Sequence, residues 1–350
     1  MLIYYLTGYP PQSDSGGGGF GNRSLINAGI KLGHTINIYD SEGSVPSIPP
    51  DLFWLCDMNG RFSLEFIRRI TRNYSIRFII QDDGYQNLCP QPTREYKLCF
   101  QDLDPNTKWD IPLDIFRDEQ MYDCSNICRY RLMSELATIC AASHSVSPMH
   151  AAIWANIFPQ LVGKQIIEEP QIDVDLFKPI YPPGIYDRVK GTYLYVGTIA
   201  KGKGYLNCME YVDRQGGTLL TAGDIHHTIR RNQVRNWRGH VPHDRLPRLY
   251  STCEYLIHLP EWQEPQSMVF TEALLCGCKV IVNDKVGATS YPWWGDHTKV
   301  FSYYIADITS SGYDEKFHMY HFTRDDPGLR NRIRNAPYKF WEDLSEYRIN

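Results

Sequence analysis

Short apolar runs recur along this chain with room for a helix or a loop between them: LIYYL at 2–6, TINIY at 35–39, DLFWLC at 51–56 and IRFII at 76–80. Most of them are apolar at consecutive positions. A strand built that way must be covered on both faces, which is the condition of a parallel sheet. The intervening segments supply the covers. RSLINAGIKL follows a glycine loop at 13–22, with Asn22 or Ser24 as its cap and Gly33 as its stop. SLEFIRRITRNY at 63–74 puts Leu64, Ile67, Ile70 and Thr71 on one helical face, and MHAAIWANIF at 149–158 is helical too. Strand–helix repetition through short loops argues a doubly wound α/β sheet.

The pattern stops at the proline-rich passage FKPIYPPGIYD (177–187) and then restarts. TYLYVG (192–197), GTLLTAG (217–223), EYLIHLP (254–260) and KVIVND (279–284) read as strands, with YLNCMEYVDRQ (205–215) and HDRLPRLYSTC (243–253) as helices. From Pro327 on, helical segments are expected, broken at Pro337. A length of 350 residues suits two domains. The expectation is an N-terminal Rossmann-like domain at 1–180, a C-terminal one at 181–330, a cleft between them, and a closing helix at 331–350. In such sheets ligands sit beyond the carboxyl ends of the strands.

Composition narrows the class. Hydrophobic content of 43% and charged content of 22% are those of a soluble globular protein, and no apolar run is long enough for a transmembrane segment. MLIYYLTGYPP has neither the basic start nor the cleavage site of a signal peptide, so a cytoplasmic location is expected. The ten cysteines are scattered, with Cys124/Cys128 and Cys276/Cys278 as the close pairs; no zinc-type spacing appears, and reduced, buried thiols are expected. Residues 1–180 hold 15 Lys and Arg against 21 Asp and Glu, whereas the remainder holds 21 against 19. The first half therefore does not attract a polyanion, and the second suits a small anion.

Three stretches carry chemistry. GGGG at 16–19 lets backbone approach a ligand ahead of a helix start, although its spacing is not the GxGxxG of dinucleotide sites. VGTIAKGKGY (196–205) places Lys203 at a positive helix end, where it suits a phosphate. EWQEPQSMVFTEALLCG (261–277) sets Glu264 in a loop and Glu272 about a turn into a buried helix. A buried carboxylate without a partner costs several kcal/mol, so a ribose diol is a natural partner for Glu272.

Together these residues resemble a known family. VGTIAKGKG is similar to the strand–loop–helix signature of retaining glycosyltransferases of the GT-B fold, family 4 type. EPQSMVFTEALLCGCKVIVND resembles their E-x7-E motif and the strand after it. IKLGHTINIY, IDVDLFKP (172–179) and KFWEDLSEY (339–347) resemble further marks, in order along nearly the whole chain. The resemblance implies a nucleotide-sugar donor, expected to be a UDP-sugar, with no other cofactor and no metal. Lys203 would hold the diphosphate. Glu264 would contact the transferred sugar, and the amides of Gln266, Ser267, Met268 and Val269 its hydroxyls or the phosphates. Glu272 would bind ribose, backbone near Val241 the base, and the loop at Gly18 and Gly19 would close over donor and acceptor.

Two departures stand out. Thr198 occupies the place of the family's arginine in the diphosphate loop, with Lys201 or Arg23 as substitutes. The acceptor-side loop reads QDDG rather than carrying histidine, which makes Asp82 and Asp83 candidates to orient the acceptor hydroxyl or take its proton, against a plain Asx-turn. The acceptor is expected to be a glycan, lipid-linked or small molecule. A hydroxymethylated base in DNA, as for bacteriophage glucosyltransferases, is the alternative, supported by Arg68, Arg69, Arg72 and Arg77 and opposed by the acidic sum of that half. A sugar-nucleotide-binding relic without activity is the non-enzymatic alternative.

Overall fold

A computed structural model describes residues 1–8, 11, 16–58, 61–72, 76–84, 130–180, 188–283, 285–291, 319–320 and 327–346. Cys124, Cys128 and most of the proline-rich passage lie outside them. The chain divides into two units. Unit 1 is Met1–Gln171 with Asn335–Asn350, and unit 2 is Ile172–Arg334.

Unit 1 starts with β1 (Leu2–Thr7), α1 (Gly16–Lys31), β2 (Thr35–Tyr39), β3 (Leu52–Cys56), α2 (Leu64–Thr71) and β4 (Arg77–Asp82). It continues with α3 (Tyr130–Ile139), β5 (Ala142–Ser145), α4 (Pro148–Ile157) and β6 (Gln165–Ile167). Its sheet runs β2-β1-β3-β4-β5-β6, parallel throughout. Ser63 and Ser147 cap α2 and α4 by accepting the amides of Phe66 and His150, and Pro148 occupies the first helical position, where its missing N–H costs nothing.

Four sequence expectations are corrected in this unit or at its end. GGGG is not a loop: α1 begins at Gly16, so Gly18 and Gly19 form its first turn. Asn22, proposed as the cap, is instead a buried residue of the second turn. Leu64 is exposed while Phe66 is buried, because α2 presents Phe66, Ile67 and Thr71 to the sheet. Finally, Pro337 does not break the last helix, α8 (Pro327–Glu346), which runs through it. Packing on the far side of the proline holds the helix. Phe340 stacks on Trp54 at 5.2 Å, and Trp341 Nε1 donates to Leu25 O at 2.9 Å. The fit is close: a Cβ on Gly29 would stand 2.3 Å from the Trp341 ring.

Unit 2 comprises β7 (Val189–Val196), α5 (Tyr205–Arg214), β8 (Thr218–Ala222), α6 (Leu246–Thr252), β9 (Cys253–His258), α7 (Met268–Leu275), β10 (Lys279–Val282), β11 (Met319–Tyr320) and the first residues of α8. The sheet order is β11-β10-β9-β7-β8, parallel except for β11. Phe177, fully buried, packs with Leu194, Leu256, Phe270 and Val280 in its core. Arg188 ties two helix ends together: its guanidinium donates to Cys253 O and Cys276 O, both at 2.7 Å, satisfying the carbonyls just past the ends of α6 and α7 that have no helical partner. Among the described residues no helix is long and apolar enough to cross a membrane.

Candidate functional site

In unit 2 the sequence-designated residues collect beyond the carboxyl ends of β7 and β9. The loop after β7 carries Lys203 and turns at Gly204, whose φ of 72° is left-handed. A Cβ on Gly204 would fall 1.6 Å from Leu259 O, so only glycine lets this loop lie against the exit of β9. That close approach brings two distant segments together. Lys203 Nζ donates to Glu264 Oε1 at 2.8 Å and Oε2 at 2.6 Å, and lies 4.6 Å from the centre of the Trp262 ring. The backbone of Glu264 is pinned in turn: its N–H donates to Lys285 O and its carbonyl accepts from Gly287 N, each at 2.8 Å.

Electrostatics favour the charged pair. Burial alone would raise the Glu264 carboxyl. Lys203 and His258, with hydrogen bonds from Lys203 and Trp262, outweigh it and hold the group below the usual carboxylate range. His258, the last residue of β9, is only 4% exposed, and neither ring nitrogen has a hydrogen-bond partner among the described residues. Burial chiefly, opposed by Glu264 and reinforced by Lys203, lowers it to about 4, so the imidazole is neutral.

The amino end of α7 follows directly. Ser267 sits before the first turn with φ 69°, a conformation that side-chain-bearing residues seldom adopt. Its Oγ and Thr271 Oγ1 are buried without a partner among the described residues. Met268 and Val269 are partly buried, and as first-turn residues their amides have no partner within the helix. Gln266 is held by Ala288 N, which donates to its carbonyl at 2.7 Å.

Glu272 departs from its sequence reading. It is 2% exposed, as expected, but its carboxylate is already partnered: His243 Nε2 donates to Oε1 at 2.7 Å, and Tyr250 Oη to Oε2 at 2.9 Å. Burial of this acid therefore does not by itself require a ribose. Val241 is partly buried against the same core as Tyr250. Thr198 is exposed, and its carbonyl accepts from Tyr195 Oη at 2.8 Å. Lys201 is exposed on the loop, whereas Arg23 lies in unit 1 and donates from Nε and Nη2 to Pro11 O at 3.0 and 2.7 Å.

Unit 1 holds the acceptor-side candidates. Asp82 is 2% exposed and its Oδ1 accepts the Gly84 amide at 2.9 Å, which is the Asx-turn contact. Asp83 accepts from Asn22 Nδ2 at 2.7 Å and Gln81 Nε2 at 2.8 Å. Sequence reasoning missed Asp57, a buried acid with φ 42° at the end of β3, and His144, whose Nε2 lies 2.6 Å from Glu168 Oε2. The acid that closes DLFWLCD was the available signal for Asp57. Cys56 Sγ and carboxylate oxygens of Asp57 and Asp83 lie within 4.8 Å of one another, a donor set able to hold a metal ion. Of the arginine cluster, Arg68 is paired with Glu135 at 3.0 Å.

No family model and no curated protein matches this sequence. Solved structures do match. Sucrose-phosphate synthase from Thermosynechococcus elongatus is 14% identical over 98% of this chain and 96% of its own, with a TM-score of 0.58. HepE from Anabaena, in complex with UDP and glucose, is 15% identical over 82% of each chain, with a TM-score of 0.51. AviGT4, a glycosyltransferase involved in avilamycin A biosynthesis, is 13% identical over 99% of this chain and 97% of its own, with a TM-score of 0.50. Likeness at such identities speaks to architecture: the chain has the α/β fold, with parallel sheets and flanking helices, of the GT-B glycosyltransferases.

Proposed function

We propose that the chain is a retaining glycosyltransferase of cytoplasmic location. It moves a sugar from a nucleotide-diphosphate sugar, preferably a UDP-sugar, to a hydroxyl of a glycan, lipid-linked or small-molecule acceptor. The observation that carries this reading is the Lys203–Glu264 pair beside the amino end of α7. An ammonium and a row of first-turn amides are what a departing diphosphate needs, and they would supply it without a metal at that position. HepE, which shares the fold, is a protein solved with UDP and glucose.

In this mechanism Lys203 exchanges the Glu264 carboxylate for the donor's phosphate oxygens. Glu264, released, accepts hydrogen bonds from the sugar hydroxyls and counters positive charge developing at the anomeric carbon. The amides of Gln266, Ser267, Met268 and Val269, with the Ser267 Oγ that has no partner among the described residues, take up the remaining phosphate or sugar oxygens. The anomeric C–O bond to phosphate breaks, the acceptor oxygen bonds to the same face, and its proton passes to the leaving phosphate. Asp82 and Asp83 orient that acceptor, and Gly18 and Gly19 give backbone access to it. A ribose reaching Glu272 shares it with His243 and Tyr250.

The test is a thermal-shift screen against UDP-, GDP- and ADP-sugars, followed by donor hydrolysis by the wild type and Lys203→Ala. A UDP-sugar is expected to raise Tm, and Lys203→Ala to lose both the shift and the hydrolysis. Equal hydrolysis by both proteins would remove Lys203 from the mechanism and favour an inactive binding protein.

A further inference from the structure

We propose that Cys56, Asp57 and Asp83, with Tyr5 as a fourth donor, form a binding site for a divalent metal ion of the zinc class in unit 1. The inference goes beyond the transferase reading and does not rest on it; an Asp83 that holds the metal leaves acceptor orientation to Asp82.

The site begins with a local irregularity. Consecutive residues of a strand point to opposite faces, so Cys56 and Asp57 at the end of β3 would diverge. Asp57 instead turns into the left-handed region, with φ 42°, and its carboxylate comes back towards the Cys56 thiol. The neighbouring strand delivers the third ligand: Cys56 pairs with Gln81 in the β3–β4 register, and Asp83 follows two residues later. The three donor atoms lie within 4.8 Å of one another. Tetrahedral zinc needs ligands roughly 3.5 Å apart, a contraction within reach of side-chain rotation.

Three observations point to a cation rather than to mere crowding of acids. Asp57 is 5% exposed and Asp83 partly buried, yet among the described residues neither is bonded to a lysine or arginine. Burying such carboxyls with hydrogen bonds but no positive charge beside them is costly. Tyr5 is fully buried, its Oη has no oxygen or nitrogen partner among the described residues, and it lies against the Cys56 thiol with Asp57 and Asp83 close by. The ligands also have the outer contacts typical of metal sites. Asn22 Nδ2 donates to Asp83 Oδ2 at 2.7 Å and approaches Cys56 Sγ at 3.7 Å, while Gln81 Nε2 donates to Asp83 Oδ1 at 2.8 Å. One thiolate with carboxylate oxygens suits Zn2+ better than Mg2+ or Ca2+, which favour all-oxygen shells. On binding, the thiol proton leaves to solvent as sulfur joins the metal.

The test uses the full chain, stripped with chelator and titrated with Zn2+, then with Co2+ as a spectroscopic stand-in. One equivalent is expected, with a thiolate-to-cobalt charge-transfer band that Cys56→Ala abolishes. Asp83→Asn is expected to weaken uptake at least tenfold. Tyr5→Phe changes shape least and keeps the test valid if the other variants unfold; it is expected to weaken uptake several-fold while the band persists. A wild-type chain that takes up neither ion at micromolar concentration overturns the proposal. So does uptake unaffected by Cys56→Ala and Tyr5→Phe, which would place the ion elsewhere, for instance at the exposed His226–His227 pair.

Discussion

Replacing Gly204 by alanine tests the geometry that brings Lys203 to Glu264. Two costs add. The left-handed φ of 72° penalises any Cβ by about 1–2 kcal/mol. The new methyl would also lie 1.6 Å from Leu259 O, 2.3 Å from Leu259 C and 2.9 Å from Pro260 N, where ordinary contact begins at 3.4 Å. These are backbone atoms of the segment leaving β9, so no side chain can swing aside. Overpacking of this kind costs about 1–3 kcal/mol more, and the total expected is about 2–5 kcal/mol. Gly216→Ala is the control: its φ is 64° but its Cβ meets nothing within 4 Å, so it pays the conformational term alone, about 1–2 kcal/mol. Urea unfolding of both variants at pH 7.5 gives the difference. The same displacement would carry Lys203 away from Glu264, so Gly204→Ala should also lose the thermal response to a UDP-sugar, whereas Gly216→Ala should keep it. Equal midpoints for the two variants, with donor response intact in both, would show that the contact with Leu259 does not position the lysine.

Other outcomes follow from the same site. Glu264→Ala should lower kcat by at least tenfold, about 1.4 kcal/mol, in a donor-consumption assay. Glu272→Ala should weaken donor binding and, because it strips the acceptor from Tyr250 and His243, destabilise the fold by about 1–3 kcal/mol in urea titrations. His258 sets a pH dependence. Its folded value is near 4 against an ordinary 6.5, so the unfolded chain takes up the proton first. Its contribution to stability is complete above pH 6.5 and is lost as pH falls towards 4, by about 3 kcal/mol in all. His258→Leu should reduce the wild-type difference in unfolding free energy between pH 7.5 and 4.5 by about 2–2.5 kcal/mol, because the loss is still incomplete at pH 4.5.

Much of the architecture was legible because its signals are local. TINIY is β2 without adjustment, LIYYL falls within β1, and β4 starts one residue into IRFII and runs two residues past it. Where local signals competed with tertiary packing, the sequence misled. Four glycines read as a loop, yet they start α1; helix propensity is a weak prior that the surrounding fold overrides. Pro337 read as a break, but Phe340 and Trp341 beyond it are anchored in the unit 1 core. Lys203 and Glu264 were each legible from motif position, while their direct pairing across 61 residues was not. Nor were the partners of Glu272, because His243 and Tyr250 reach it from another segment and no spacing rule links them. Buried networks of this kind are fixed by three-dimensional packing and leave only faint traces in one dimension.

The anchoring of Trp54 has a consequence for biosynthesis. Its indole is covered by Phe340 and Trp341, residues translated almost three hundred positions later. During elongation unit 1 exposes this aromatic face while the contiguous unit 2 segment is still emerging, and the second module can finish folding before the first. A nascent chain stalled short of Phe340 would offer chaperones and proteases a hydrophobic surface that the released protein conceals.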